Sequence, residues 1–144
     1  MKTIQGPAIF LAQFIGEQPP FNTLEGLADW AAGLGYKALQ IPCNHPAIFD
    51  VEQAAQSQSY CDDVRGVLAE RGLAISELST HLEGQLIAVH PAYDAAFDSF
   101  APASRRGNPS ARQAWATEKL FQAARASRNL GLRAHRSEEH TSEL

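Results

Sequence analysis

Apolar and polar positions along the chain follow two patterns, one typical of buried strands and the other of amphipathic helices. The segment from Pro7 to Phe14 is apolar at both odd and even positions, as expected for a strand covered on both faces. Tyr36 to Pro42 and Leu73 to Thr80 are two further short apolar segments, and they predict a second and a third strand. A fourth strand begins at Leu132, and only residues 132–135 fit its pattern.

Helical spacing of apolar residues fills the segments between the first three strands. Asn22, with Glu25 three residues later, forms a capping signature for a first helix, which Gly35 follows. Asp50 opens a second, long helical segment, and Gly72 stands just past its end, the usual position for a terminating glycine. We therefore expect one helix in each of these two connections.

A third helix follows the third strand after a loop of about thirty residues. Asn108 and Pro109 supply its cap and first turn, and Gly131 ends it. The resulting order, β-α-β-α-β-loop-α-β, predicts a parallel sheet in either a closed (β/α)8 barrel or an open doubly wound fold. Neither a GxGxxG motif after the first strand nor a GxxxxGK[ST] motif anywhere is present, so a nucleotide-binding open sheet loses most of its support.

Composition and charge narrow the function classes. The 144 residues are 44% hydrophobic and 19% charged, which is typical of a globular protein with one modest core. The net charge of −4 offers no basic field for a nucleic-acid backbone, so we expect no nucleic-acid partner. The longest apolar run is far shorter than the roughly 20 residues of a membrane-spanning helix, and no signal-peptide pattern follows Met1. We therefore expect a cytoplasmic protein without a membrane partner.

The two cysteines, Cys43 and Cys61, have neither CxxC spacing nor the density of a disulfide scaffold. Both are interpreted as reduced thiols, one in a loop and one packed on a helix.

The last nine residues, RSEEHTSEL from Arg136 to Leu144, do not continue the apolar pattern of the fourth strand. They match, residue for residue, the in-frame translation of a common sequencing-library adapter oligonucleotide. We therefore expect a native domain over residues 1–135 and a non-native tail over residues 136–144, and the tail is left out of the fold prediction.

Four segments of the chain resemble the sugar phosphate isomerase/epimerase family, the xylose-isomerase-like barrels. They are GPAIFLAQF, LGYKALQIP, RGLAISELSTHLEGQLIAVHPAYD and ASRNLGLRAH. The resemblance covers residues 1–135 and implies the N-terminal half of a (β/α)8 TIM barrel, with about three βα units and the start of strand four. A complete barrel needs ~250 residues, so we expect the chain to be a fragment.

The resemblance also implies an activity. The full-length protein would isomerise or epimerise a sugar or sugar phosphate by metal-assisted proton transfer, with a divalent cation (Mn, Mg, Co or Zn) stabilising an enediolate-like intermediate. The principal metal carboxylates of such barrels usually come from later strands. We therefore expect this chain alone to be inactive and not to bind the metal stably.

The third strand carries the foremost candidates for catalysis. Ile75, Glu77, Ser79 and His81 share one parity, so on an inward-facing strand His81 would stand at the carboxyl end with Glu77 deeper in the barrel. We predict catalytic roles for His81 and Glu77. His135 ends the fourth strand in the equivalent place. Metal-dependent barrels related to the family that the chain resembles have a histidine at each of these strand ends, so the resemblance implies that His81 and His135 are metal ligands.

Four more residues are candidates for substrate binding. Gln13 and Gln40 lie near the ends of the first and second strands, where an amide can hydrogen-bond a sugar hydroxyl but cannot act as a base. Arg105 and Arg106 lie in the long segment from 82 to 107, and their guanidinium groups suit a substrate phosphate. We expect this segment to wall the pocket, with an aromatic cluster beneath it and a rigid turn at His90.

Two alternatives stay open. A metal-dependent phosphodiesterase of the apurinic-endonuclease type shares the fold and the strand-end histidines, although the acidic balance counts against it. A small α/β binding module without catalysis would fold cooperatively and remain monomeric. A partial barrel would instead expose unpaired strand edges, so we expect self-association through them.

Overall fold

The computed structural model describes residues 4–136 and arranges them around a four-stranded parallel sheet. The strands are β1 (Ala8–Phe10), β2 (Ala38–Pro42), β3 (Ala74–Ser79) and β4 (His135–Arg136). They lie side by side in chain order, β1-β2-β3-β4, and every neighbouring pair is parallel. The predicted α/β class and the parallel arrangement are confirmed, although each strand is shorter than its apolar segment.

Helices and single helical turns connect the strands. The helices are α1 (Leu24–Gly33), α2 (Val51–Gln56), α3 (Gln58–Ala69), α4 (His81–Gln85), α5 (Asp94–Phe97) and α6 (Pro109–Asn129). Three 3-10 turns, Pro91–Tyr93, Asp98–Phe100 and Ala103–Arg105, lie in the long segment before α6. No helix within residues 4–136 has the length and apolar character needed to cross a bilayer.

The helix caps confirm two predicted starts and correct a third. The side chains of Asp50 and Asn108 accept hydrogen bonds from first-turn amides of α2 and α6, each at 3.0 Å. The prediction that Asn22 caps the first helix is wrong. The helix begins one residue later, and Thr23 Oγ1 accepts from the amide of Gly26 at 3.1 Å. Glu25 therefore does not occupy the capping-box position.

The predicted long helix after Asp50 is two helices. Ser57 has an extended backbone (φ −125°, ψ 112°) between α2 and α3. Its amide donates to the Gln53 carbonyl and its hydroxyl accepts from the Tyr60 amide at 3.2 Å, so it closes one helix and caps the next. The apolar spacing continues across this break, which is why the pattern alone predicts a single helix.

The helix-to-strand junctions turn through glycine, as expected from the sequence. Gly35, Gly72 and Gly131 have φ of +88°, +70° and +73°, in the left-handed region that other residues rarely adopt. After Gly131 the Leu132 amide donates to the Ser127 carbonyl. This bond keeps residues 132–134 at the helix end, so β4 begins at His135 and not at Leu132. The rest of the predicted tail, residues 137–144, lies outside the described residues.

The core lies between the helices and one face of the sheet. Leu39, Ile41 and Leu78 are fully buried against apolar side chains of α1, α2, α3 and α6. An irregularity in the pairing of β2 and β3 occurs here, since Leu39 pairs with Ile75 while Gln40 pairs with Glu77. The extra residue in β3 is Ser76, and it acts as a β-bulge.

The bulge corrects the predicted parity of the third strand. Ile75 lies with Leu39 in the core, whereas Glu77 lies beside Gln40 on the opposite face. A regular strand would have placed Ile75 and Glu77 on the same face. Glu77 and Ser79 still share a face, because they lie beyond the bulge.

Candidate functional site

The sheet face away from the helix-packed core carries a pair of polar side chains. Gln40 Nε2 donates to Glu77 Oε1 at 2.8 Å, and both side chains are half-buried. Pairing of β2 with β3 sets this contact, because Gln40 and Glu77 are direct register partners. The bond orients the Glu77 carboxylate across the open face of the sheet.

His81 lies one turn further along, at the start of α4. Its Nδ1 is 3.4 Å from Ser79 Oγ, and its ring meets the Phe10 ring edge-on with centroids 5.4 Å apart. His45, in the loop after β2, has a pKa lowered first by burial and then by the nearby charge of His81. The carboxyl ends of β1, β2 and β3 therefore bring Gln40, Glu77 and the two histidines to one region.

His135 does not join this group. It pairs with Leu78, whose side chain is in the core, and its Nε2 is 2.8 Å from Thr80 Oγ1. Burial lowers the pKa of His135, and its Nδ1 is buried without a partner in the described residues. Because side chains alternate along a strand, His135 lies on the helix-covered side and His81 on the other.

The described residues do not fit the implied divalent cation. No group of three or more His, Cys, Asp or Glu side chains within residues 4–136 is placed to hold a metal ion. The two histidines expected as ligands have different partners on different sides of the sheet. These residues therefore do not form a metal centre by themselves.

The other predicted substrate-binding residues, within the described part of the chain, form no hydrogen bond with the Gln40–Glu77 pair. Gln13 is exposed in the turn after β1. Arg105 and Arg106 are exposed beside Gly107, and Arg106 donates from Nε to the Ala101 carbonyl at 3.0 Å. The Arg106 guanidinium thus stabilises its own turn.

The long segment from 82 to 107 is fixed to α6 by a buried arginine. Arg112 is 2% exposed and forms ion pairs with Asp94 and, at 2.7 Å, with Asp98. Asp98 also accepts a hydrogen bond from the Gly107 amide at 2.7 Å. This bond, followed by the contact with Arg112, lowers the pKa of Asp98. The segment is therefore an ordered part of the fold.

An aromatic cluster lies beneath this segment, as predicted. Phe97 and Phe100 meet edge-on with centroids 5.4 Å apart and pack with Trp115 around Leu86, Ala101 and Ala116. Tyr93, an aromatic residue of the same segment, is 60% exposed and does not join the cluster. His90 forms the predicted turn by accepting from the Ala92 amide at 3.2 Å.

The segment also walls a cavity of about 610 Å³ beyond the ends of β2 and β3. Phe100 and Pro102 contribute one wall, and Trp115 and Lys119 of α6 another. Glu83 of α4 lines the cavity although the residue is only 3% exposed. Burial raises its pKa above the ordinary 4.5, against smaller lowerings by its own backbone amide, which donates to the carboxylate, and by the charge of Lys119.

The sequence did not identify Glu83 as a site residue, and it predicted Cys43 only as a cysteine in a loop. Cys43 is buried in the same cavity wall, and burial followed by the charge of Glu83 raises its pKa. Cys43 is therefore a protonated thiol.

Cys61 is buried in the core and donates to the Ala54 carbonyl at 3.3 Å, so the prediction of two reduced cysteines is confirmed. The one sequence signal for Glu83 is its position two residues after His81, a predicted site residue.

No protein-family model and no curated protein matches this chain.

Proposed function

We propose that the chain forms part of a (β/α)8 barrel whose complete form isomerises or epimerises a sugar or sugar phosphate. The strand order supports the barrel. Doubly wound sheets reverse their strand order at a switch point, whereas β1 to β4 follow the chain without reversal. The helix-packed core lies on one face of the sheet, as in a barrel whose other face is the interior.

The hydrogen-bonded Gln40–Glu77 pair is the observation that carries the proposed activity. In a closed barrel the open face of the sheet is the interior, and its carboxyl end is where such enzymes bind substrate. A half-buried carboxylate held by an amide at 2.8 Å has one oxygen oriented by the protein and the other able to accept a proton. This arrangement suits a general base.

The reaction needs one proton to move between neighbouring carbons. In isomerisation Glu77 takes the proton from the carbon next to the sugar carbonyl, which leaves an enediolate, and returns it to the former carbonyl carbon, while the hydroxyl proton moves to the former carbonyl oxygen. In epimerisation Glu77 keeps the proton that it removes from one face, and an acid on the opposite face supplies the new proton to the same carbon. His81, oriented by Ser79, donates a hydrogen bond to the oxygen on which negative charge develops. Gln40 holds Glu77 and contributes no proton. No step is assigned to a metal ion, since the described residues do not form its site.

The experiment that tests the proposal is a binding measurement, because this chain alone is expected to be inactive. Backbone amide resonances of the 15N-labelled chain are followed during titration with an aldose, its ketose isomer and their phosphates. We expect saturable shifts at Gln40, Glu77 and His81 that are lost in Glu77→Gln. Glu70→Gln, an exposed change at the end of α3, is the control and leaves the shifts in place.

Two results would count against the proposal. Sugars that shift no resonance on the open face would contradict the assigned site. Shifts produced only by abasic-site DNA would favour the phosphodiesterase alternative, although the two strand-end histidines on which that alternative rests, His81 and His135, have different partners on different sides of the sheet.

A further inference from the structure

The cavity beyond β2 and β3 has an acidic lining that the proposed isomerase chemistry does not use. Among the described residues, three carboxylate residues, Asp50, Glu52 and Glu83, line it together with one cationic residue, Lys119. The Lys119 ammonium already contacts Glu52 at 3.8 Å and Gln122 Oε1 at 3.0 Å. A phosphate would meet net negative charge in this cavity, so it is not suited to a sugar phosphate.

Two buried polar groups face this cavity, one without a donor and one with only a local donor. Glu83 is 3% exposed, and its carboxylate accepts from its own backbone amide, while no side chain within residues 4–136 forms a hydrogen bond or ion pair with it. Asn44 Oδ1 is also buried, and no atom of the described residues donates to it. Buried polar groups are nearly always satisfied in folded proteins, and both of these groups are hydrogen-bond acceptors.

The remaining walls are apolar and partly aromatic. Trp115 and Phe100 stand on the sides of the cavity, together with Val51 and Leu82. Aromatic faces attract cations as well as apolar groups. The lining thus combines hydrogen-bond acceptors, which an N–H donor would satisfy, with an apolar surface on which the hydrocarbon part of a ligand can pack.

We propose that this cavity binds a small organic ammonium ion, with Glu83 and Asn44 accepting its N–H groups and Trp115 and Phe100 packing on its apolar body. An ammonium group supplies up to three donors and a positive charge, so it satisfies both buried acceptors and pairs the Glu83 carboxylate. A neutral alcohol supplies one donor and no charge. The site is separate from the Gln40–Glu77 pair, and the proposal does not depend on the isomerase function.

The test uses cyclohexylammonium as the probe and cyclohexanol as its uncharged match. The chain has two tryptophans, and Trp30 packs away from the cavity against Phe14 and Phe21. In the full chain carrying Trp30→Phe, Trp115 is therefore the sole tryptophan reporter. We expect saturable change in Trp115 fluorescence, with cyclohexylammonium binding about tenfold more tightly than cyclohexanol, since a charge-assisted bond replaces a neutral one.

Substitutions test which residues bind cyclohexylammonium. In the Trp30→Phe background, Glu83→Gln should weaken cyclohexylammonium binding about tenfold and leave cyclohexanol unchanged. The exposed change Glu70→Gln should alter neither. Circular dichroism establishes whether each variant is folded. If Glu83→Gln is unfolded, Asn44→Ala, which removes the second acceptor, replaces it and should also weaken cyclohexylammonium binding.

Three outcomes would overturn the proposal. They are the absence of saturable fluorescence change with cyclohexylammonium, equal affinity for cyclohexanol, and unchanged cyclohexylammonium affinity in folded Glu83→Gln or, where that variant unfolds, in Asn44→Ala.

Discussion

At the scale of single residues, Glu83 is a buried acid without an ion-pair partner in residues 4–136. The residue is only 3% exposed, and its own backbone amide donates to the carboxylate. Burial disfavours the charged form, which is why its pKa is raised. Folding is therefore linked to proton binding at this position.

Replacing this carboxyl with an amide should stabilise the chain at neutral pH. A raised folded-state pKa means that the native state holds its proton while the unfolded state loses it, so stability falls as pH rises from about the ordinary value of 4.5 through the folded pKa. We expect Glu83→Gln to gain about 1 to 2 kcal/mol at pH 7, the scale of an unsatisfied buried polar group. Urea unfolding at several pH values measures this.

The control for this prediction is Glu70→Gln, whose side chain is 80% exposed. Its stability should follow the unmodified chain at every pH. Equal pH slopes for Glu83→Gln and the unmodified chain would contradict the linkage to Glu83.

The sequence predicts individual site residues unevenly, for a physical reason. Parity correctly groups Glu77 with Ser79, but it adds Ile75 to the same face, and the bulge removes Ile75 from that face. The partner Gln40 follows from the neighbouring strand end. Glu83 becomes important only because α6 and the segment 82–107 cover it, and that burial depends on contacts distant in the chain. His135 shows the same limit, since its contact with Thr80 depends on the register of β4.

At the scale of elements, the bulge in β3 decides which side chains reach the open face. If Ser76 took a regular ladder position opposite Gln40, the residues after it would shift by one position against β2. Glu77 would then move to the core side and Leu78 to the open face. The apolar segment predicts a strand here, but period-two alternation contains no signal for the extra residue.

Deletion of Ser76 tests whether it is the extra residue of β3. Without Ser76 the strand alternates regularly and Glu77 still pairs with Gln40, so we expect a loss of only about 1 kcal/mol, from the hydroxyl bond to the Leu39 carbonyl at 3.2 Å. Chemical denaturation measures the loss. As a contrast, deletion of Gln40 from β2, which has no extra residue, moves Ile41 from the core to the open face and should cost at least about 3 kcal/mol. Similar losses in the two deletions would refute the assignment.

The attachment of the long segment to α6 depends on Arg112. Arg112→Met leaves Asp94 and Asp98 facing each other without their cation, which should cost about 3 kcal/mol. We also expect faster proteolysis between residues 94 and 107, because the segment loses its main ionic contact. Urea unfolding and timed digestion with mass spectrometry measure both effects.

Arg125→Met offers a matched control on the same helix. Arg125 pairs with Glu118 at 3.0 Å, but both side chains are about half exposed, so its loss should cost under about 0.5 kcal/mol. Equal costs for the two arginines would show that burial of Arg112 contributes nothing.

At the scale of the whole molecule, the strand order and the one-sided core create a sheet with open edges. Alternation of strands and helices predicts the parallel arrangement, because a crossover helix returns each strand to the same direction. The choice between barrel-like and doubly wound order lies in which strands become neighbours. Local patterns carry no information on that choice, and β1-β2-β3-β4 becomes evident only in three dimensions.

The open edges lead to a prediction about association. Within the described residues β1 pairs only with β2 and β4 only with β3, so backbone groups on two edges are available to another copy. We expect concentration-dependent self-association in sedimentation velocity, and we expect Ala8→Lys, a charge at an exposed position of β1, to weaken it several-fold. Ala114→Lys, at an exposed position in the N-terminal half of α6, adds the same charge away from the edges and should not. A chain that remains monomeric at all concentrations would instead favour the self-contained binding module, because unpaired parallel edges would then carry no tendency to pair.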